Sequence, residues 1–188
     1  MRIILRKLGS LINNFIIFFR SKFYRFIFST FQNGIKIDKD VKFGKNVNLR
    51  VTDGGRLKIM KGVNISSNTS IIVQSGILKI FDNVFIGNGS IIVCRKSILI
   101  GKKTLVSEYV TIRDQDHDYS NGIIESNKFK TSSIVIGSNC WIGAKSSILR
   151  GSVLGDSVII GSHALVKSKI PSFNLATGIP AIVKKSIK

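Results

Sequence analysis

The sequence predicts an all-β fold: a parallel β-helix, or solenoid, wound from six-residue units, with a short helical segment at its N-terminus. Three observations predict it. Aliphatic residues recur in steps of six from about Ile59 to Val166. Glycine and small side chains follow them at fixed offsets. The chain holds 17 Gly but only 2 Pro, so glycine and small polar residues must make its turns.

The repeat is cleanest in the second half. Ile136, Ile142, Ile148, Leu154, Ile160 and Val166 stand in unbroken steps of six. Glycine follows four of them (Gly137, Gly143, Gly155, Gly161), and four residues after the aliphatics come Cys140, Ser146, Ser152, Val158 and Ala164. Steps of six would wander around a 3.6-residue helical turn, so no helix produces the series. One short strand plus one turn fits six residues, and three such units close a triangular coil. Earlier triplets keep the unit with slips: Ile59, Ile65, Ile71; Ile80, Ile86, Ile92; Ile100, Val106, Ile112. Equivalent positions there are 20 or 21 apart rather than 18, so these coils carry corner insertions. Val41, Phe43 and Val47 mark a looser first coil. About seven coils stacked at ~4.8 Å make a prism about 30–35 Å tall.

Before the solenoid, Met1–Phe31 holds no acid and six bases: Arg2, Arg6, Lys7, Arg20, Lys22 and Arg25. Bases follow the apolar run Phe15–Phe19 as well as precede it, which is unlike a secretory signal. The longest uncharged run, Leu8–Phe19, falls short of the ~20 residues that span a bilayer. A pair of helical segments is expected over residues 1–33. Two uses stand open for it: peripheral membrane contact through residues 1–31, or packing on the first coil. The expected solenoid runs over 34–172, with a loop extruded at about 113–133 and a C-terminal tail at 173–188.

The net charge is +19, from 29 Lys+Arg against 10 Asp+Glu. Such a field favours phosphates or an anionic surface. No docking helix or aromatic–arginine sheet face accompanies it, so nucleic acid is not an expected partner. Cys94 and Cys140 sit inside repeat units without a CxxC pattern and are expected as small buried residues. The two histidines, His117 and His163, are too few and too far apart for an open zinc site, so no metal is expected.

One interruption is large. Ile112 and Ile136 are 24 residues apart where a coil needs six. The excursion begins Thr111-Ile-Arg-Asp-Gln-Asp-His-Asp-Tyr119. A histidine among carboxylates is a candidate general base, since a carboxylate can fix its tautomer and stabilise the imidazolium. His163 occupies an ordinary repeat position and is expected on the surface.

These residues together resemble the left-handed β-helix hexapeptide-repeat acyltransferases, in particular bacterial capsule and O-antigen polysaccharide O-acetyltransferases. The resemblance covers about residues 40–185. It rests on Asp114-Gln-Asp-His117, Ile136-Gly-Ser-Asn-Cys-Trp141-Ile-Gly143-Ala144, Ile160-Gly-Ser162 and the closing Ala176-Thr-Gly-Ile-Pro180-Ala181. It implies a left-handed sense, a homotrimer, acetyl-CoA as co-substrate between subunits, and transfer to a sugar hydroxyl of a surface polysaccharide or its lipid-linked precursor. By the same resemblance His117 would be the base and Asp114 or Asp116 would orient it. Trp141 would pack at the transfer site, or else fill a corner. Gly143 and Ala144 amides would meet the thioester, and Ser162, Lys167 and Lys185 would contact CoA. Ile182 replaces a usual base after Pro-Ala, and Lys167 a usual Thr. Two other readings stay open: acetylation of a small soluble acceptor (an antibiotic or free sugar), and a non-catalytic solenoid that binds. The expected place is the cytoplasm, at the inner face of its membrane.

Overall fold

The computed structural model describes residues 2–120 and 122–188, and helix side chains from residue 11 onward except at 13. Its strands form three parallel sheets that make the faces of a triangular prism. The first face runs from Ile35–Ile37 to Lys169–Ile170 in seven strands. The second runs from Lys42–Phe43 to Asn174–Thr177, also in seven, and the third from Asn48–Thr52 to Leu165–Val166 in six. Six complete turns and two sides of another result, consistent with a left-handed β-helix.

The six-residue period works because each unit aims one aliphatic side chain at the axis. Ile142, Ile148 and Val166 are fully buried, and Ile136, Leu154 and Ile160 nearly so. The small positions between them (Cys140, Ser146, Ser152, Val158, Ala164) are buried too. Polar members of that set satisfy themselves locally, as where Ser146 Oγ donates to Gly143 O at 2.7 Å. Both cysteines are free and buried as expected, and His163 is exposed.

Register shows where the slips lie. Ile37, Ile59, Ile80, Ile100, Ile136, Leu154 and Ile170 align on the first face. The extra residues of the early coils gather at the corner between the third and first faces, around Asp53–Gly54, Ser75–Gly76 and Arg95–Lys96. The large excursion leaves from that same corner.

Two expectations change in detail. The N-terminus is one continuous helix, α1, Arg2–Phe31, rather than a pair of segments. Asn13 and Asn14 cost a helix only a few tenths of a kcal/mol each, and docking holds its second half. Tyr24 and Phe28 pack against Phe43 with ring centroids 5.9 and 6.1 Å away. Polar side chains near α1 also occupy open backbone groups of the first coil. Ser21 Oγ accepts from Phe43 N–H at 3.0 Å, Arg20 Nε donates to Phe43 O at 2.8 Å, and Gln32 bridges Leu49 O and Val51 N–H. Arg2, Arg6 and Lys7 lie outside the described side chains. At the other end the expected tail contains the last parallel strand, Asn174–Thr177, and an antiparallel strand, Ile182–Ser186, that covers it.

Candidate active site

The excursion expected as a loop is an ordered β-hairpin: Gln115–Asp118 pairs antiparallel with Glu125–Thr131, placing Gln115 opposite Thr131 and His117 opposite Phe129. Its root is Asp114, which is fully buried. One carboxylate oxygen accepts from Arg95 N–H at 2.8 Å; the other accepts from Lys96 and Ser97 N–H at 2.8 and 2.9 Å. Asp114 also accepts Ser132 N–H through its own carbonyl at 3.0 Å, closing the hairpin's return. The side chain therefore ties the preceding coil's corner to the hairpin. Cys94 Sγ lies 3.5 Å from the same carboxylate, and burial followed by Asp114's charge pushes its thiol pKa far upward.

Alternation along the hairpin separates Asp116 from His117, since successive strand residues face opposite ways. Asp116 forms an ion pair with Arg150 from the coil below. Asp118 accepts from the Ser120 hydroxyl at 2.6 Å and from Ser120 N–H at 2.9 Å. Those bonds, and then Lys130, hold its carboxyl below the usual range. The expectation that Asp114 or Asp116 orients His117 is corrected: each carboxylate is committed elsewhere. The exposed His117 ring instead has Nδ1 3.3 Å from Glu125 O and rests 4.6 Å from the Phe129 centroid. A carbonyl can only accept, so this contact assigns the neutral ring's proton to Nδ1 and leaves the Nε2 lone pair free. Arg95's guanidinium lies 3.6 Å from the centre of Phe129, completing a small stacked group. Sequence reading missed Glu125, Phe129 and Arg95. Only pairing across the hairpin and between coils brings them to His117, and no local spacing signals it.

The remaining candidates divide between two edges of the third face. Trp141 points outward on the second face, half exposed, between Leu105 and Ile159, and its Nε1 donates to Ser107 Oγ at 3.1 Å. It therefore fills no corner. Gly143 begins the corner between the second and third faces. Its N–H donates to Ile160 O at 2.8 Å, so this one amide is engaged between coils. A Cβ there would sit 2.6 Å from both Ile160 O and Ser162 N. The next coil's backbone passes too close for any side chain. Ala144 follows, its carbonyl accepting His163 N–H at 2.9 Å, and the register stacks the exposed Ser162 one coil along from it. Lys185 is exposed opposite Leu175, at the end of the sheet that carries Trp141. Lys167 does not join this group. It follows Val166 in the column of Arg113 and Leu149, at the hairpin's edge of the face. Five residues of strand and turn, about 15 Å, separate the two edges within one chain.

Residues 133–168 match the family Bacterial transferase hexapeptide (six repeats), so the family resemblance read in the sequence holds. A probable acetyltransferase of Mycobacterium tuberculosis is 35% identical over 150 residues, covering 78% of this chain and 50% of its own length. The present chain thus spans about half of that relative. A protein of Escherichia coli named for O-acetyl transfer in lipopolysaccharide biosynthesis is 28% identical over 137 residues, covering 66% of this chain and 70% of itself. Among solved structures, the Bacillus cereus N-acyltransferase AntD, in complex with dTDP-4-amino-4,6-dideoxyglucose and coenzyme A, superposes with a TM-score of 0.67. It is 17% identical and covers 81% of this chain and 83% of its own, a likeness of fold.

Proposed function

The chain carries the hexapeptide repeats of bacterial transferases, and from that premise we propose that it is an acetyl-CoA-dependent O-acetyltransferase. Its acceptor is a sugar hydroxyl of a bacterial surface polysaccharide or of its lipid-linked precursor. The observation that carries this reading is the His117 ring, exposed on the hairpin with Nδ1 held by Glu125 O and Nε2 free. A sugar hydroxyl has a pKa far above neutrality and needs a base as it attacks. Nε2 accepts that proton while the oxygen bonds to the acetyl carbon. The imidazolium then hands the proton to the departing sulfur, so the histidine ends neutral. Acetyl-CoA supplies the activated acyl group.

The other edge of the face fits the donor. Ala144 and Ser162 present only small side chains on adjacent coils beside the exposed Trp141, room that a slender pantetheine chain needs, while the buried Gly143 lets those two coils approach closely. Lys185 brings positive charge to the same sheet, suited to the nucleotide phosphates. Since His117 and this edge are apart in one chain, the site closes when one copy's hairpin meets a neighbour's corner, as in a homotrimer. The similarity to proteins named acetyltransferase supports the reaction class. Placement at the inner face of the cytoplasmic membrane follows from the donor and a lipid-linked acceptor.

The test is His117→Ala, expected to lower acetyl transfer by about 10²–10⁴-fold while the thermal melt stays unchanged. Surface glycan from cells carrying that variant should lose one acetyl group per repeat by mass spectrometry. Wild-type transfer by the variant would sink the assignment. A second reading, transfer to an amino sugar, is favoured by the amino-sugar complex of the fold relative. Mild alkali separates the two: it strips an acetyl ester and leaves an amide. Saturating acetyl-CoA that gives no protection against unfolding would leave a non-catalytic solenoid.

A further inference from the structure

The helix α1 is apolar on two opposite sides, and only one of them has a partner. Ser21, Tyr24 and Phe28 face the first coil. The arc facing away carries Leu11, Ile12, Phe15, Ile16, Phe18, Phe19, Phe23 and Phe26, each between 48% and 66% exposed. At about 200 Å² per phenylalanine, the five Phe alone leave about 600 Å² of aromatic surface in water. That equals the largest patch usual on a whole soluble monomer, about 300–600 Å². A surface of this size on a helix that already has its structural contact calls for a second occupant.

We propose that this face lies in an anionic lipid surface, so that α1 joins the solenoid to a membrane by its outer side. Charge selects lipid over a second copy. Lys22 is exposed within the arc with its Nζ over the Phe18 ring, 4.6 Å from the ring centre, so positive charge sits on the apolar face itself. Beside the arc, a cleft of about 460 Å³ between α1 and the first coil is lined by Phe18, Arg25, Lys39, Asp40 and Lys42 among others. One Asp40 carboxylate oxygen accepts from Gly62 N–H at 2.9 Å. Three cations against one acid make the cleft a place for phosphate. The helix contains no acid at all, so pairing it with a second copy would set bases against bases. Among the described residues no helix is long and apolar enough to cross a membrane, and the helix lies along the surface.

The experiment uses the full chain and sedimentation with vesicles of phosphatidylcholine, alone or mixed with phosphatidylglycerol. Wild type should pellet with the mixed vesicles, far less with neutral ones, and less as salt rises. Replacing Phe15, Phe19 and Phe26 together by Gln, a good helix former, should weaken binding roughly tenfold or more with the solenoid's melt unchanged. Replacing Lys22, Lys39 and Lys42 by Glu should abolish the preference for phosphatidylglycerol, giving a second check should the first variant fold poorly. Equal binding by either variant overturns the proposal. So does a wild-type chain that ignores vesicles yet loses oligomeric mass when the three Phe are replaced, which would show that copies cover the face. None of these readouts involves acetyl transfer, so the result stands apart from the fate of the catalytic reading.

Discussion

The coils from Ile134 to Ala176 and the hairpin from Asp114 to Ser132 adjoin at one corner of the prism as separate sheets, yet they use residues in opposite ways. In the coils a position's place in the six-residue unit decides its fate: Ile142, Ile148 and Leu154 are interchangeable in kind, all buried on the axis. In the hairpin, adjacent residues do unrelated things. Asp114 is a buried tie, Asp116 an ion-pair partner of Arg150, and His117 an exposed imidazole bonded to Glu125 O. Periodicity spreads one role over many residues, and its interruption lets single residues specialise.

Substitutions can break or sharpen that contrast. Asp114→Ala should have the largest effect on stability, about 4 kcal/mol, because it strands three corner amides that the carboxylate now satisfies. A melt near wild type would show that the hairpin root is no structural tie. Ile148→Ala should cost about 3 kcal/mol through a core cavity, read as a lower denaturation midpoint. The clean period predicts a similar loss at Ile142, and a large disparity would mean the units are not equivalent. Asp116→Asn should cost about 1 kcal/mol or less, as a half-exposed pair does. Transfer should change by less than about threefold, since Glu125 O and not Asp116 holds the imidazole; a loss matching His117→Ala would restore Asp116 as the orienting group. Smallest of all, folded protein at pH 8 should resist alkylation at Cys94 and Cys140. Burial raises both thiol pKa values and keeps them protonated. Labelling should appear only in denaturant, and mass spectrometry of the folded sample checks it.

The solenoid was legible because burial on an axis forces a period, and a period survives in a single sequence. Even the loose opening coil announced itself through Val41, Phe43 and Val47, which are buried. The break after Ile112 was equally visible. What filled it was not, because the hairpin is defined by pairing Gln115–Asp118 with Glu125–Thr131 across six residues that carry no repeat. The roles of Asp114 and Asp116 were hidden for the same reason: their partners, Arg95–Ser97 and Arg150, come from the coils above and below. Of the residues proposed for the donor, Trp141, Gly143, Ala144 and Ser162 were legible as a group since they follow the coil register. Lys167 follows the same register, one residue after Val166, and that count puts it in the column of Arg113 and Leu149 instead. The continuity of α1 was missed because Asn13 and Asn14 resemble a break, although docking of the helix outweighs their weak propensity.

The contacts that α1 makes with the first coil also bear on how large the protein can grow. A parallel β-helix ends in open strand edges, each able to template another coil or another molecule. Here the starting edge is stoppered by Ser21, Arg20 and Gln32, which take the groups of Phe43, Leu49 and Val51 that a further coil would have used. The final edge is stoppered by Ile182–Ser186, which runs against the grain of the stack. Partners of this kind at both ends oppose tip-to-tip stacking of copies in the register of the coils and steer assembly to the flanks of the prism.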